Sequence, residues 1–179
     1  MKAVLLDRDG VINEDRRDYV KNISEFVILP GVPEAIGELT RNGFAVFVLS
    51  NQAGISKGLY SSETLRDIDS CLQREVEKKG GKIAKTYYCP HQDEDNCSCR
   101  KPKSGMILVA AQEHQIDIAN SFLIGDRWKD IAAGQSAGCK TIWLDKKYSE
   151  NYSAEPADFV TDNLFNATQW ILQHEEMTN

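Results

Sequence analysis

Apolar residues along this chain fall into two kinds of run that alternate from end to end. Short, largely apolar stretches over 3–6, 44–49, 83–88, 122–125 and 139–144 predict buried strands, with a sixth over 158–161. Helical patterns lie between them. Pro30-Gly31-Val32-Pro33 opens a helix that runs to Arg41 with Ile36 and Leu39 inward, and Asn42-Gly43 stops it. Ser61 and Ser62 precede a helix over 63–79, where Leu65, Ile68, Leu72 and Val76 recur at helical spacing and Gly80-Gly81 ends it. Further helices are expected over 105–114, 129–137 and 163–174, the last with Leu164, Ala167 and Ile171 on its inner face. No internal repeat or low-complexity segment interrupts the pattern.

Strand–helix alternation with short loops predicts an α/β fold, a doubly wound and mainly parallel sheet, in a single domain spanning 1–179. In such sheets ligands bind beyond the carboxyl ends of the strands, where the winding reverses. The polar residues follow that rule: Asp7 and Asp9 come after the first strand, Ser50 and Asn51 after the second, Asp126 after the fourth.

Composition narrows the classes. A chain of 179 residues, 41% apolar and 27% charged, is neither disordered nor fibrous and needs no disulfides to hold a core. No apolar run approaches the ~20 residues of a membrane span. Met1-Lys2 precedes only the four apolar residues Ala3, Val4, Leu5 and Leu6 before Asp7, too few for a signal peptide, so the expected location is the cytoplasm. A net charge of 21 − 27 = −6 argues against broad nucleic-acid binding. No heptad or exposed apolar stripe points to self-association, and a monomer is expected.

The acidic residues carry the first chemistry. Asp7 and Asp9, two apart on a chain leaving a strand, can point the same way, and Gly10 permits the sharp turn such a pair needs. Paired carboxylates suit a hard cation or divided nucleophile and acid–base roles; a turn with solvated acids is the plain alternative. Asp126 would approach Asp7 if their strands are neighbours, and three carboxylates including Asp130 would repel one another without a cation such as Mg²⁺ between them. The alternative makes Asp126 a helix N-cap and Asp130 a first-turn acid. Ser50 and Asn51 suit phosphoryl oxygens, although Asn51 could equally be a turn residue. Lys101 is the candidate to neutralise nucleophile and phosphate together, and Arg100 to grip a carboxylate or a second phosphate.

Cys89, His91, Cys97 and Cys99 lie in two close pairs separated by a short gap, within a loop over 89–99. In a reducing compartment that cluster reads as a metal site before a disulfide. Three thiolates and one imidazole are a saturated tetrahedral Zn²⁺ set, so the site should be structural and should aim Arg100 and Lys101 at the carboxylates. Cys71 and Cys139 read as core packing. His114 and His174 fall near helix ends and receive no role.

Together these motifs resemble the haloacid dehalogenase-like phosphatase superfamily, whose four motifs match Asp7–Gly10, Ser50, Lys101, and Asp126 with Asp130 over most of the chain. Ser50 stands where threonine is usual there. The resemblance implies a Rossmann-like sheet without a large cap domain and a phosphoaspartyl route. In that route Asp7 is nucleophile and Asp9 acid–base; Mg²⁺ is held by Asp7, Asp126 and the backbone carbonyl of Asp9, with Asp130 behind them. The stretches Asp7-Arg8-Asp9-Gly10-Val11-Ile12-Asn13, Ser50 to Gly58, and Cys99 to Met106 are similar to the zinc-loop branch acting on a heptose bisphosphate in nucleotide-heptose synthesis. The implied partner is a small sugar phosphate whose distal anion Arg100 would grip, with Lys57 assisting. The same chemistry on histidinol phosphate is the nearest rival. A phosphoacceptor signalling domain and a zinc-bearing nucleic-acid module are rivals of other classes. The residues do not choose the C1 anomer.

Overall fold

The computed structural model describes residues 1–148 and 156–178, with side chains as far as 174. Its strands β1 (Ala3–Leu6), β2 (Ala45–Asn51), β3 (Ile83–Cys89), β4 (Phe122–Gly125), β5 (Lys140–Leu144) and β6 (Phe159–Thr161) form one sheet. All pairs are parallel, in the order β3-β2-β1-β4-β5-β6. The chain leaves β1 in one direction through β2 and β3 and returns to its other side as β4. The winding therefore reverses between β1 and β4, and every carboxyl end faces the same edge.

Parallel strands covered on both faces must be apolar on both faces. In β1, Val4 and Leu6 enter one core while Ala3 and Leu5 enter the other; Val46 and Val48 of β2 oppose Phe47 and Leu49 in the same way. The first core is closed by α1 (Val32–Arg41), α2 (Ser62–Glu77) and α5 (Leu164–Thr178), through Ile36, Leu39, Leu65, Ile68, Leu164 and Ile171. The second is closed by α3 (Gly105–His114) and α4 (Trp128–Ala137), through Met106, Ile107, Ala110 and Ala133. Full burial of each aliphatic side chain contributes about 1.5–3 kcal/mol.

Every expected strand and helix is present; β1, β4 and α3 have the expected bounds and the others shifted ends. β2 runs on through Ser50 and Asn51 because both pair with β3, opposite Tyr88 and Cys89; tertiary pairing outweighs their local turn preference. Ser61 caps α2, its hydroxyl accepting from the Thr64 amide at 3.2 Å, and α2 stops two residues before Lys79. Short 3-10 turns at Ile23–Glu25, Asp93–Asp95 and Ile118–Asn120 had no apolar period to announce them. Cys139 is buried as expected, whereas Cys71 is only half-buried. Among the described residues, no helix is long and apolar enough to cross a membrane.

Candidate active site

The carboxyl edge gathers the acids. Asp7, Asp126 and Asp130 each offer a ligand atom, and these atoms lie within 4.8 Å of one another. Asp7 is stitched to β4 by its amide, which donates to the Ile124 carbonyl at 2.9 Å. Gly10 makes the close approach possible: it sits at φ +84, and a Cβ there would lie 1.8 Å from Asp126 Oδ2. Both Asp126 oxygens are buried and have no hydrogen-bond partner. Burial, reinforced by the neighbouring Asp7 and Asp130, pushes the Asp126 carboxyl up to about 8. Burial also carries Asp7 up to about 7, against the pull of Lys101 and with repulsion from Asp130 and Asp9 added.

Asp126 does not cap α4. That position belongs to Arg127, whose amide donates to Asp130 Oδ2 at 3.0 Å. The other Asp130 oxygen meets Lys101 Nζ at 2.6 Å. Lys101, 3% exposed, donates its remaining two protons to Asp7 Oδ1 and the Leu49 carbonyl, each at 2.7 Å. Burial would strip that ammonium of its proton; Asp130 and Asp7 outweigh burial and hold it charged. Three carboxylates against one ammonium leave two negative charges, which matches a divalent cation. The oxygen donors, with an Asp126 carboxylate that has no full hydrogen bond and meets Arg127 Nε at 3.9 Å, fit Mg²⁺.

Asn51, read from sequence as a phosphate ligand or a turn residue, closes a reciprocal pair with the main chain of Lys101. Its Nδ2 donates to the Lys101 carbonyl at 3.0 Å, and the Lys101 amide donates to its Oδ1 at 3.1 Å. It thereby fastens the Lys101 segment to the end of β2. Ser50 accepts from Gln52 Nε2 at 2.9 Å, which leaves its hydroxyl proton to be given toward the cavity it lines. Asp9 lines the same cavity, and its carboxylate accepts from Arg8, Asn13 and Gln52.

The rim holds residues that the motifs did not announce. Asp15, Arg16, Tyr19, Arg127 and Lys129 line the cavity beside the acids. Arg127 reaches Asp15 at 2.6 Å and lies over the Tyr148 ring, 3.6 Å from its centroid. Arg100 lines an adjoining pocket that shares Lys101, and its Nε donates to Asp93 Oδ1 at 2.5 Å. Lys129 approaches the other Asp93 oxygen at 3.6 Å. Lys57 stands behind Tyr19 and donates to its hydroxyl at 2.9 Å, so it reaches the cavity only through that ring.

Cys89, His91, Cys97 and Cys99 converge at the end of β3, each offering a ligand atom within 4.8 Å of the others. Sulfur–sulfur separations of 3.1, 3.4 and 3.6 Å, with His91 Nδ1 3.3 Å from Cys99 Sγ, are far longer than a disulfide. They suit four ligands around one soft cation such as Zn²⁺. His114 instead packs on the Phe47 ring, centroids 4.8 Å apart, and His174 stacks on Trp170 at 5.0 Å.

A family model described as HAD-hyrolase-like matches residues 98–167. A Neisseria meningitidis protein named D-glycero-beta-D-manno-heptose-1,7-bisphosphate 7-phosphatase is 36% identical, covering 97% of this chain and 96% of its own length. A Campylobacter jejuni relative named for the alpha anomer is 39% identical over 80% of this chain and 81% of its own length. Among solved structures, the D,D-heptose 1,7-bisphosphate phosphatase of B. bronchiseptica, complexed with magnesium and phosphate, superposes with a TM-score of 0.92. It is 32% identical, over 97% of this chain and 99% of that one.

Proposed function

The chain belongs to the haloacid dehalogenase-like phosphatases, phosphoric monoester hydrolases, and from that premise we propose that it removes the C7 phosphate of D-glycero-D-manno-heptose 1,7-bisphosphate. The observation that carries the reading is the close group of Asp7, Lys101 and Asp126, whose oxygens make no full hydrogen bond, at the reversal of the winding. The heptose-1,7-bisphosphate 7-phosphatase names of relatives covering 97% and 80% of the chain support the substrate. The whole of 1–179 acts as one catalytic domain, a cytoplasmic monomer feeding nucleotide-heptose synthesis.

Asp7 attacks phosphorus in line with the sugar oxygen, and the bond from phosphorus to that oxygen breaks as Asp9 supplies its proton. Asp9 then takes a proton from the water that attacks phosphorus, which frees Asp7 and releases phosphate. Ser50 and Lys101 donate to the equatorial oxygens, where negative charge spreads. Mg²⁺ held by Asp7, Asp126 and the backbone carbonyl of Asp9 supplies the charge neutralisation that three carboxylates and a phosphoryl group require. Zn²⁺ held by Cys89, His91, Cys97 and Cys99 supplies order to the loop that carries Arg100 and Lys101.

The distal phosphate meets Arg100, with Lys57 assisting through Tyr19. The pairing of Arg100 with Asp93, which is 65% exposed, is of a kind worth at most about 1 kcal/mol, so a dianion can displace that acid at little cost. Arg100→Ala is expected to lower kcat/KM for the bisphosphate about 30-fold, the loss of one charged contact, with a much smaller loss on a monophosphate. Equal losses on both would remove the second-phosphate role.

A carboxyl whose folded pKa is raised destabilises the fold as pH climbs from its unfolded value to its folded one. Asp7 and Asp126 therefore cost the metal-free protein stability between about pH 4 and pH 8. Saturating MgCl₂ should raise Tm more at pH 8 than at pH 5, because both ligands must be ionised to hold the cation. An equal rise at the two pH values contradicts that siting.

The substrate is tested by phosphate release from both heptose 1,7-bisphosphate anomers, histidinol phosphate and mannose 6-phosphate. One heptose anomer is expected to lead in kcat/KM by about 100-fold or more over the last two. A lead for histidinol phosphate would overturn the assignment while leaving the chemistry standing.

A further inference from the structure

Among the described residues Arg8 is the largest fully buried side chain, 1% exposed, and in sequence it lies between the two acids assigned to the chemistry. A buried guanidinium costs several kcal/mol in desolvation unless its partners compensate. It grips Asp9 with both ends of its fork, Nε to Oδ1 at 3.2 Å and one terminal nitrogen to Oδ1 at 2.9 Å and Oδ2 at 3.0 Å, while Tyr88 and Asp69 also face its charge. The other terminal nitrogen is buried with no full hydrogen bond, so the fork toward Asp9 is its strongest attachment. Asp9, by contrast, is 26% exposed and lines the cavity.

Gln52 binds the same carboxylate. Its Nε2 donates to Asp9 Oδ2 at 2.7 Å and to Ser50 Oγ at 2.9 Å. The orientation of that amide is fixed from behind, because the Tyr60 hydroxyl donates to Gln52 Oε1 at 2.5 Å. Burial pushes the Tyr60 phenol up to about 12, which keeps it a donor. Tyr60 in turn is seated against Gly54, where a Cβ would come within 2.2 Å of its ring. Asn13 adds a further donor, Nδ2 to Asp9 Oδ1 at 2.9 Å.

We propose that Arg8 and Gln52, with Gln52 oriented by Tyr60, are positioning residues that fix the Asp9 carboxyl for proton transfer to the departing sugar oxygen. The proposal rests on the phosphoaspartyl reading above. Proton delivery depends on placement to within a fraction of an ångström, and donors from two separate segments, after β1 and after β2, supply that placement. Gln52 also joins the proton-transfer group to the Ser50 hydroxyl assigned to the phosphoryl oxygens.

The test uses leaving groups. When Asp7 takes the phosphoryl group from the sugar bisphosphate, the departing alkoxide needs a proton; p-nitrophenolate leaves without one. Rapid-quench formation of hydroxylamine-labile phosphoenzyme is measured on full-length wild type, Arg8→Met and Gln52→Leu, with heptose bisphosphate and with p-nitrophenyl phosphate. The ratio of sugar to aryl rate is expected to fall about 30-fold in each variant, within the range attributed to general-acid catalysis. Should Arg8→Met fail to fold, as judged by its melting curve, Gln52→Leu carries the comparison. A wild-type ratio in the folded variants, with both rates lowered together or neither, overturns the positioning role. Absence of phosphoenzyme from wild type itself overturns the phosphoaspartyl reading beneath it.

Discussion

Asp7→Asn is expected to abolish phosphate release, by about 10⁴-fold or more in kcat, while the protein folds and matches wild type in zinc content. Asparagine has the same shape but cannot attack phosphorus as a carboxylate does. The neighbourhood tolerates the exchange: Lys101 retains Asp130 and the Leu49 carbonyl, at 2.6 and 2.7 Å. The Cys/His cluster at the end of β3 uses none of the same atoms. Removing one of three crowded carboxylates also relieves the repulsion that lifts Asp126, so the metal-free variant should melt no lower than wild type near pH 8. Steady-state phosphate release, zinc content by elemental analysis and a thermal melt together check this. Substantial residual turnover would reject the covalent route.

Lys101→Met should be the most destabilising change in the site. It leaves Asp7 and Asp130 facing each other without the ammonium that both contact, the circumstance in which a broken buried pair costs about 3–5 kcal/mol. For a chain of this size that is a drop in Tm of about 10 °C or more. The sign of the pH dependence follows from protonation. A carboxyl that accepts a proton no longer repels its neighbour, so the deficit should be larger at pH 8 than at pH 5. Turnover should fall at least about 100-fold, since Lys101 is also assigned to the charge that develops on the phosphoryl oxygens. Melting curves of metal-free wild type and variant at the two pH values decide it. Matching Tm values would mean that the ammonium is not the counter-charge of this cluster.

Much of the site was legible because it follows strand ends. Asp7, Ser50 and Asp126 lie at the carboxyl ends of three adjacent parallel strands, and alternation of strands and helices is enough to bring them to one edge. The Cys/His cluster was legible from spacing alone. What pattern could not reveal is where side chains turn next. Arg8, flanked by two acids, has the look of a solvated charge; only the tertiary fold shows it buried against Asp9. Asn51, expected at a phosphate or in a turn, lines the cavity, but spacing does not reveal that its amide also engages the main chain of Lys101 fifty residues away. Arg16, Arg127 and Lys129 carry no motif, and they reach the cavity because the loop after β1 and the start of α4 fold over the same edge.

The most direct measurement is to reduce the quenched enzyme with borohydride, which converts an acyl phosphate at aspartate into homoserine, and to locate the change by peptide mass spectrometry. The account predicts homoserine at residue 7, in wild type and only after exposure to substrate with Mg²⁺. Modification at another carboxylate, or none while phosphate is being released, would contradict it.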